Sequence, residues 1–216
     1  DFFYTWRKVE ANDKATDGIN SLLTMVQGLF RKDRLLSVIK DFVFFPDSSK
    51  NEKKVVCRYP QFFATHKLFE NICVHSKLRD GGDGKGGTYF GATGCGKSIT
   101  MLFLCRMLMR SRGFASPTIV LITDRTDLDD QLSKLFVTAK KFIGDDCVID
   151  VESREKLREY LTGRTSGGVF LTTIHKFTED TKLLSKRANI ICISDEAHRS
   201  QTNLAMQVKQ TEKGVR

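Results

Sequence analysis

The sequence lacks the features that mark membrane-spanning, secreted and zinc-binding proteins. No two of its six cysteines form a C-x-x-C pair, which argues against a zinc site of the usual spacing. No apolar run approaches the roughly 18 residues that a membrane span needs. The chain starts at Asp1 without a methionine, and no secretion signal follows. We therefore expect a cytoplasmic protein, of which these residues are an excised piece.

The net charge and the positions of the cysteines indicate what kind of partner and which cell compartment to expect. Lysine and arginine total 35 against 26 acids, a formal net charge of +9, which favours a polyanionic partner such as nucleic acid, although a basic soluble enzyme remains open. Hydrophobic residues make up 40% of the chain, enough for a core. Four cysteines lie in apolar runs and are expected to be buried, reduced thiols: Cys73, Cys105, Cys147 and Cys192.

The spacing of the apolar residues changes along the chain. Residues 14–45 and 60–78 show helical spacing, and residues 53–58 a short strand. Five glycines in residues 79–87 predict a mobile loop that can hardly pack. Strand-like runs then follow at 88–90, 118–123, 147–151, 168–174 and 189–194. Helix-like runs lie at 97–111, 126–142, 153–162 and 176–187. This alternation predicts an α/β fold with a mostly parallel sheet and helices on both faces, preceded by a helical segment.

Residues 91–98 (GATGCGKS) match the pattern G-x-x-x-x-G-K-[ST] between a predicted strand and a predicted helix. In such a loop, glycines let backbone N–H groups wrap a phosphate, and the helix N-terminus adds a partial positive charge. Lys97 would reach the β- and γ-phosphates, and Ser98 would offer its hydroxyl to Mg²⁺. The alternative is a chance glycine-rich turn, which the predicted strand and helix on either side argue against.

Residues 195–198 (DEAH) come directly after the predicted strand 189–194. A parallel strand delivers such carboxylates to the sheet edge where ligands of α/β proteins bind. Asp195 would hold Mg²⁺ through water, and Glu196 would orient and deprotonate the attacking water. An isolated Asp-Glu pair is usually a solvated loop, but the phosphate-loop motif upstream favours the functional interpretation.

Together these motifs resemble superfamily 2 helicases and translocases, and further segments resemble the motor (R) subunits of type I restriction enzymes. The matching stretches are 42–45 (FVFF), 58–61 (RYPQ), 122–132 (ITDRTDLDDQL), 172–177 (TTIHKF) and 195–201 (DEAHRSQ). His175 stands where that family usually has Gln. In the phosphate loop, Cys95 replaces a usual Ser or Gly, and Ser98 a usual Thr.

The resemblance implies a RecA-like P-loop NTPase that uses ATP and Mg²⁺ to translocate double-stranded DNA. It also implies a bacterial or archaeal restriction complex with methyltransferase and specificity subunits. The implied catalytic residues are Lys97, Asp195 and Glu196. Ser98 and Asp195 would bind the Mg²⁺ ion, and His198 would couple ATP hydrolysis to movement. The implied ATP contacts are Arg58, Gln61, Thr93, Gly94, Cys95, Gly96, Lys97 and Ser98. The implied DNA contacts are Arg125, Thr172, Thr173, His175 and Lys176.

The expected organisation is a helical segment at 1–50, linking to an upstream nuclease domain, and a first motor lobe at 51–216 that stops before the second lobe. DNA cleavage would reside outside this chain. Two other functions remain open: a superfamily 2 DNA or RNA helicase unrelated to restriction, and a non-catalytic module that binds nucleotide and nucleic acid.

Overall fold

The computed structural model describes residues 5–46, 54–124, 126–177 and 183–197. It separates into two compact units. Unit 1 comprises residues 1–114 and 141–144, and unit 2 comprises residues 115–140 and 145–216. None of the helices in the described ranges is both long enough and apolar enough to cross a membrane.

Unit 1 is mainly helical. Its elements are α1 (Asn20–Gly28), α2 (Lys32–Asp41), β1 (Val43–Phe44), β2 (Val55–Val56), α3 (Tyr59–His75), α4 (Lys97–Arg110) and a 3-10 turn (Arg112–Phe114). β1 and β2 pair antiparallel. Helix α4 packs against α3 and α2. Helix α3 has a proline in its first turn, where the missing N–H costs nothing.

Aromatic rings form the core of unit 1. Phe42 contacts the rings of Phe62 and Phe103 at centroid distances of 5.0 and 5.1 Å. Phe142, from the short returning segment, lies 5.0 Å from Phe44. The guanidinium of Arg106 in α4 stacks over Phe142 and donates to its carbonyl. The segment 141–144 is thereby attached to the phosphate-loop helix by both packing and a hydrogen bond.

Unit 2 is built on a parallel sheet. Its strands are β3 (Thr118–Thr123), β4 (Val148–Asp150), β5 (Val169–Thr173) and β6 (Ile190–Ser194), in the order β4-β5-β3-β6. The register aligns Thr123 with Thr173 and Ile122 with Ser194, so the carboxyl ends of the three longer strands share one edge. Helices α5 (Thr126–Thr138) and α7 (Arg154–Thr162) complete this unit, while the short helix α6 (Lys140–Ile143) belongs to unit 1 for all but its first residue.

Helices flank this sheet, as expected for near-continuous apolar strands. Helix α5 packs against β3, β4 and β5. Helix α7 presents Leu157 and Leu161 to a buried cluster that includes Val120 and Phe170. Ser153 caps α7 by accepting the backbone N–H of Lys156 at 3.2 Å. The predicted α/β class with a parallel sheet is confirmed.

Two predicted elements are wrong. Residues 88–90 carry no strand, and the Phe90 side chain is 94% exposed. The helix predicted at 176–187 is not found in its described residues: a 3-10 turn covers Ile174–Phe177 and residues 183–189 are irregular, while 178–182 lie outside the described residues. There Arg187 donates to the Arg164 carbonyl and to the Thr118 hydroxyl, so tertiary hydrogen bonds override the helical pattern.

The predicted burial of the cysteines is only partly correct. Cys105 is buried, Cys73 and Cys147 are half-buried, and Cys192 is exposed. Cys192 lies in β6, at one end of the described sheet. Cys57, which lies outside the long apolar runs, is buried instead, and burial raises the pKa of its thiol to about 12.

The glycine-rich loop does pack, contrary to the prediction. Gly84 donates its N–H to the His75 carbonyl at 2.8 Å, and Asn71 donates its side-chain amide to the Gly86 carbonyl at 2.7 Å. A Cβ at Gly82 would lie 2.0 Å from the Ser76 carbonyl oxygen. The glycines therefore allow the loop to fold closely against the end of α3.

Candidate nucleotide-binding site

The phosphate loop runs from Gly91 to Gly96 in unit 1 and leads directly into α4. Gly94 and Gly96 have positive φ angles of 77° and 87°, a conformation that other residues rarely adopt. The Cys95 N–H donates to the Ala92 carbonyl at 3.2 Å and closes a turn within the loop. Thr93 and Gly94 are exposed at the tip, while Cys95 and Gly96 are half-buried. The pattern G-x-x-x-x-G thus forms a turn followed by a helix N-terminus.

Lys97 is the first residue of α4, and its ammonium folds back over the loop. Its Nζ donates to the Gly91 carbonyl at 3.2 Å, so the side chain spans the loop from end to start. Ser98 follows within the first turn, and the first turn contains no acidic residue. Unpaired N–H groups at a helix N-terminus, a nearby ammonium and the absence of acid make this end of α4 suited to an anion.

Gln61 connects α3 to the phosphate loop. Its side chain is 4% exposed, its Oε1 accepts the Arg58 backbone N–H at 2.8 Å, and its Nε2 donates to the Gly96 carbonyl at 3.2 Å. A Cβ at Gly96 would lie 2.5 Å from this Nε2. The contact of Gln61 with the loop was not predicted from the sequence. The available signal was the helix start, where Pro60 is followed by Gln61 at the capping position.

The Cys95 thiol lies beneath the loop. Its Sγ is 3.9 Å from the Tyr89 hydroxyl, and a Cβ at Gly91 would lie 2.7 Å from it. Burial, assisted by the contact with Cys95, raises the pKa of Tyr89. The sulfur therefore packs against the start of the loop, and the glycine at position 91 leaves room for it.

The acidic pair lies in unit 2, directly after β6. The Asp195 N–H donates to the Ile122 carbonyl at 2.8 Å and so extends the pairing with β3 by one residue. Its Oδ1 accepts the Glu196 N–H at 3.0 Å. Glu196 has a φ of +49°, an uncommon conformation for a residue with a side chain, and such strain clusters at functional sites. Both residues are half-buried, and His198 lies outside the described residues.

The residues predicted to contact DNA differ in their placement. Thr172 and Thr173 end β5 and are buried, whereas His175 is exposed in the turn that follows. Lys176 belongs to the same turn, but its side chain is not described, and Arg125 lies outside the described residues. Their contact with DNA stays a prediction.

Asp124 is a residue of this edge that sequence reasoning missed. It follows β3, and its carbonyl oxygen lies 3.1 Å from His175 Nε2. Since β3 lies between β5 and β6, Asp124 follows the middle strand, with His175 after β5 on one side and Asp195 and Glu196 after β6 on the other. The signal was its position at the end of a predicted strand.

A magnesium site made by protein ligands alone is not present in the described residues. Within them, no group of three His, Cys, Asp or Glu side chains could hold a metal ion. Ser98 and Asp195 remain the predicted ligands.

Comparison with known proteins places these motifs in a family. The model of the SWI2/SNF2 ATPase family matches residues 60–213. The type I restriction enzyme HindI endonuclease subunit of Haemophilus influenzae is 37% identical over 210 residues, covering 92% of this chain and 19% of that protein. A Methanocaldococcus jannaschii protein, provisionally named the MjaIXP endonuclease subunit of a type I restriction enzyme, is 32% identical over 93% of this chain and 20% of its own length.

A shorter relative matches along almost its whole length. It comes from Mycoplasma pneumoniae and is provisionally named the C-terminal part of the MpnIIP endonuclease subunit of a type I restriction enzyme. It is 30% identical over 200 residues, covering 88% of this chain and 93% of that protein. The chain thus spans about a fifth of the two longer relatives and nearly all of the shorter one.

Proposed function

The chain belongs to the SWI2/SNF2 ATPase family and to the endonuclease subunits of type I restriction enzymes, and on that premise we propose that it is the ATP-binding lobe of a DNA-translocating motor. Its fold is the α/β, RecA-like fold of a P-loop NTPase, and it is a helicase-like part of a restriction enzyme that binds ATP. The proposal adds translocation along double-stranded DNA, driven by hydrolysis of that ATP.

The observation that carries the proposal is the arrangement of Lys97 at the start of α4. Its ammonium lies 3.2 Å from the Gly91 carbonyl, across a loop in which Gly94 and Gly96 have left-handed conformations. A triphosphate placed there would accept hydrogen bonds from the N–H groups at the start of α4, and its β- and γ-oxygens would replace the Gly91 carbonyl as the partner of Lys97. The ammonium is attracted more strongly by a negatively charged phosphate oxygen than by a neutral carbonyl oxygen.

The remaining steps belong to residues whose roles are proposed. Ser98 would offer its hydroxyl to Mg²⁺, which neutralises phosphate charge when bound. Asp195 would hold the same ion through water, and Glu196 would orient and deprotonate the attacking water. Arg58 and Gln61 are proposed to lie near the adenine, together with Thr93, Gly94, Cys95 and Gly96 along the phosphates.

DNA would meet the edge that carries His175. The other residues proposed to contact DNA are Arg125, Thr172, Thr173 and Lys176. His198 is proposed to couple ATP hydrolysis to movement along the DNA. The side chains of Thr172 and Thr173 are buried, so these residues would contact DNA only through their backbone groups or after the adjoining turn has shifted. Contacts to the DNA backbone position the duplex and carry no sequence information. Methyltransferase and specificity subunits would supply recognition in a cytoplasmic complex, and a nuclease domain elsewhere in the subunit would cut the DNA.

The test is the affinity of the chain for Mg·ATP, measured by calorimetry, with one lysine removed at a time. Lys97→Ala is expected to weaken binding about 10- to 100-fold, as one or two charge-assisted hydrogen bonds to phosphate are removed. Lys67→Ala is the matched control, because Lys67 is an exposed lysine on α3. Equal affinity in the two variants would contradict the assignment of the phosphate loop.

A further inference from the structure

The Trp6 side chain is buried against the start of helix α3. Trp6 is 4% exposed. Its ring centroid lies 5.7 Å from that of Phe62, 6.2 Å from that of Phe63 and 6.3 Å from that of Tyr59. These three rings lie on either side of Gln61 in the sequence, within the first turns of α3. The indole N–H has no hydrogen-bond partner among the described residues, so the ring is held there by packing. Trp6 therefore supports the turn that carries Gln61.

The end of helix α1 also packs against the indole. Gly28 is the last residue of α1, and a Cβ there would lie 2.5 Å from the Nε1 atom of Trp6 and 2.8 Å from the Lys8 carbonyl oxygen. Nonbonded heavy atoms do not approach so closely, and a packed interior has no room for an additional methyl group. The indole thus contacts both the end of α1 and the start of α3, and a side chain at position 28 would displace it.

The buried guanidinium of Arg34 in α2 holds the segment that follows Trp6. Arg34 is 6% exposed. Its Nη1 donates to the Val9 carbonyl and, at 2.9 Å, to the Gly28 carbonyl, and its guanidinium carbon lies 5.3 Å from the centroid of the Phe63 ring. A buried cation requires such partners. The backbone just after Trp6 is therefore tied to α1 and α2, while the same guanidinium packs on α3.

We propose that Trp6 is a positioning residue for nucleotide binding, which acts by holding Gln61 against the phosphate loop. This role rests on the proposed function, in which the loop binds the phosphates of ATP. Gln61 Nε2 donates to the Gly96 carbonyl at 3.2 Å, which is at the long end of the range for such bonds, so a small shift of the first turn of α3 would break it. Lys97 follows Gly96 directly, so the shift would reach the groups proposed to bind phosphate. Trp6 lies before residues 60–213, which the family model matches, so a segment outside the matched region would set the nucleotide affinity.

The affinity of the complete chain for Mg·ATP tests this role, measured by calorimetry at a temperature where circular dichroism shows every variant to be folded. Trp6→Leu and Gln61→Ala are each expected to raise the dissociation constant by about 3- to 10-fold, the usual contribution of one hydrogen bond. The variant that carries both changes should bind no more weakly than Gln61→Ala alone, because Trp6 acts only through Gln61. If the two side chains acted independently, their factors would multiply.

Three further variants separate positioning from a general loss of packing. Gly28→Ala displaces the indole without altering Trp6 or α3, so it should weaken binding as Trp6→Leu does, and again only while Gln61 is present. It carries the test if Trp6→Leu does not fold. Trp6→Phe keeps a ring and loses an N–H without a partner in the described residues, so its affinity should stay within about twofold of the unaltered chain. Phe114→Leu is the matched control: Phe114 is 3% exposed and packs on Phe69, farther along α3, so the melting temperature should fall while the affinity stays unchanged.

Lys97→Ala, measured in parallel, distinguishes failure of this role from failure of the proposed function. If Lys97→Ala binds Mg·ATP as tightly as the unaltered chain, the phosphate loop is not the nucleotide site, and both are overturned. If Lys97→Ala weakens binding but Trp6→Leu and Gly28→Ala do not, the positioning role alone is overturned. The same holds if the factors for Trp6→Leu and Gln61→Ala multiply. Equal weakening by Phe114→Leu would also overturn the role, because the effect would then follow from lost packing anywhere along α3.

Discussion

In unit 1, the side chains around the phosphate loop are already hydrogen-bonded to its backbone, whereas in unit 2 the acidic pair stands on a turn just beyond a strand. Gln61 and Lys97 donate to the Gly96 and Gly91 carbonyls, at opposite ends of the loop. Asp195 and Glu196 are half-buried, and the bond between them is local. Changes to the loop backbone or to Gln61 should therefore affect both stability and nucleotide binding, while loss of the Glu196 carboxylate should affect the chemical step alone.

The largest effect is expected for Glu196→Gln in the complete subunit. Loss of the proposed base should lower the rate of ATP hydrolysis by about 10²- to 10⁴-fold, the usual contribution of a positioned base. The affinity for Mg·ATP and the melting temperature should stay unchanged. Glu159→Gln, an exposed glutamate on α7, is the control and should hydrolyse ATP normally. A fall in the affinity for Mg·ATP together with the rate of ATP hydrolysis would contradict a purely chemical role for Glu196.

Gly96→Ala should affect both stability and binding. Alanine would take a left-handed conformation and place its Cβ against Gln61 Nε2, so the free energy of unfolding should fall by about 1–3 kcal/mol. Nucleotide affinity should fall with it. Gly113→Ala is the control, because its Cβ would meet only the Ser111 hydroxyl at 3.7 Å. Urea denaturation of both variants measures the difference, and equal stabilities would contradict the close approach.

Gln61→Ala should have a smaller effect on the same loop. It removes the donor to the Gly96 carbonyl and the acceptor of the Arg58 N–H, both in a buried site. The expected decrease in unfolding free energy is about 1–2 kcal/mol, with weaker ATP binding as the loop loosens. Gln27→Ala changes an exposed glutamine of α1 and serves for comparison. An unaltered stability would show that the contacts of Gln61 do not hold the loop.

The sequence was most informative where a single local rule decides the structure. β3 and β5 are rich in Val, Ile, Leu and Phe, as is typical of buried parallel strands, and both were predicted to within one residue of their ends. The phosphate loop was predicted because its glycines and Lys97 have fixed spacing. The position of the acidic turn was predicted because Asp195 and Glu196 come directly after an apolar strand.

Features that depend on distant partners were missed. Residues 88–90 have strand-forming side chains, but a strand needs a neighbour to pair with, and their own sequence does not supply one. The helical pattern before β6 is overridden where Arg187 binds Thr118 and Arg164. The contact of Gln61 with Gly96 joins residues 35 positions apart. The left-handed turn at Glu196 likewise has no signature in its residue type.

Movement along DNA by the complete subunit, assembled with its partner subunits, is the most direct test of the proposed motor. It is measured as ATP-dependent displacement of a protein roadblock from a DNA duplex. Unaltered protein should displace the roadblock when ATP is present and leave it in place when ATP is absent. Lys97→Ala should abolish displacement while the protein remains folded and still assembles. Displacement that persists in the Lys97→Ala variant would contradict the assignment of this lobe as the ATP-binding part of the motor.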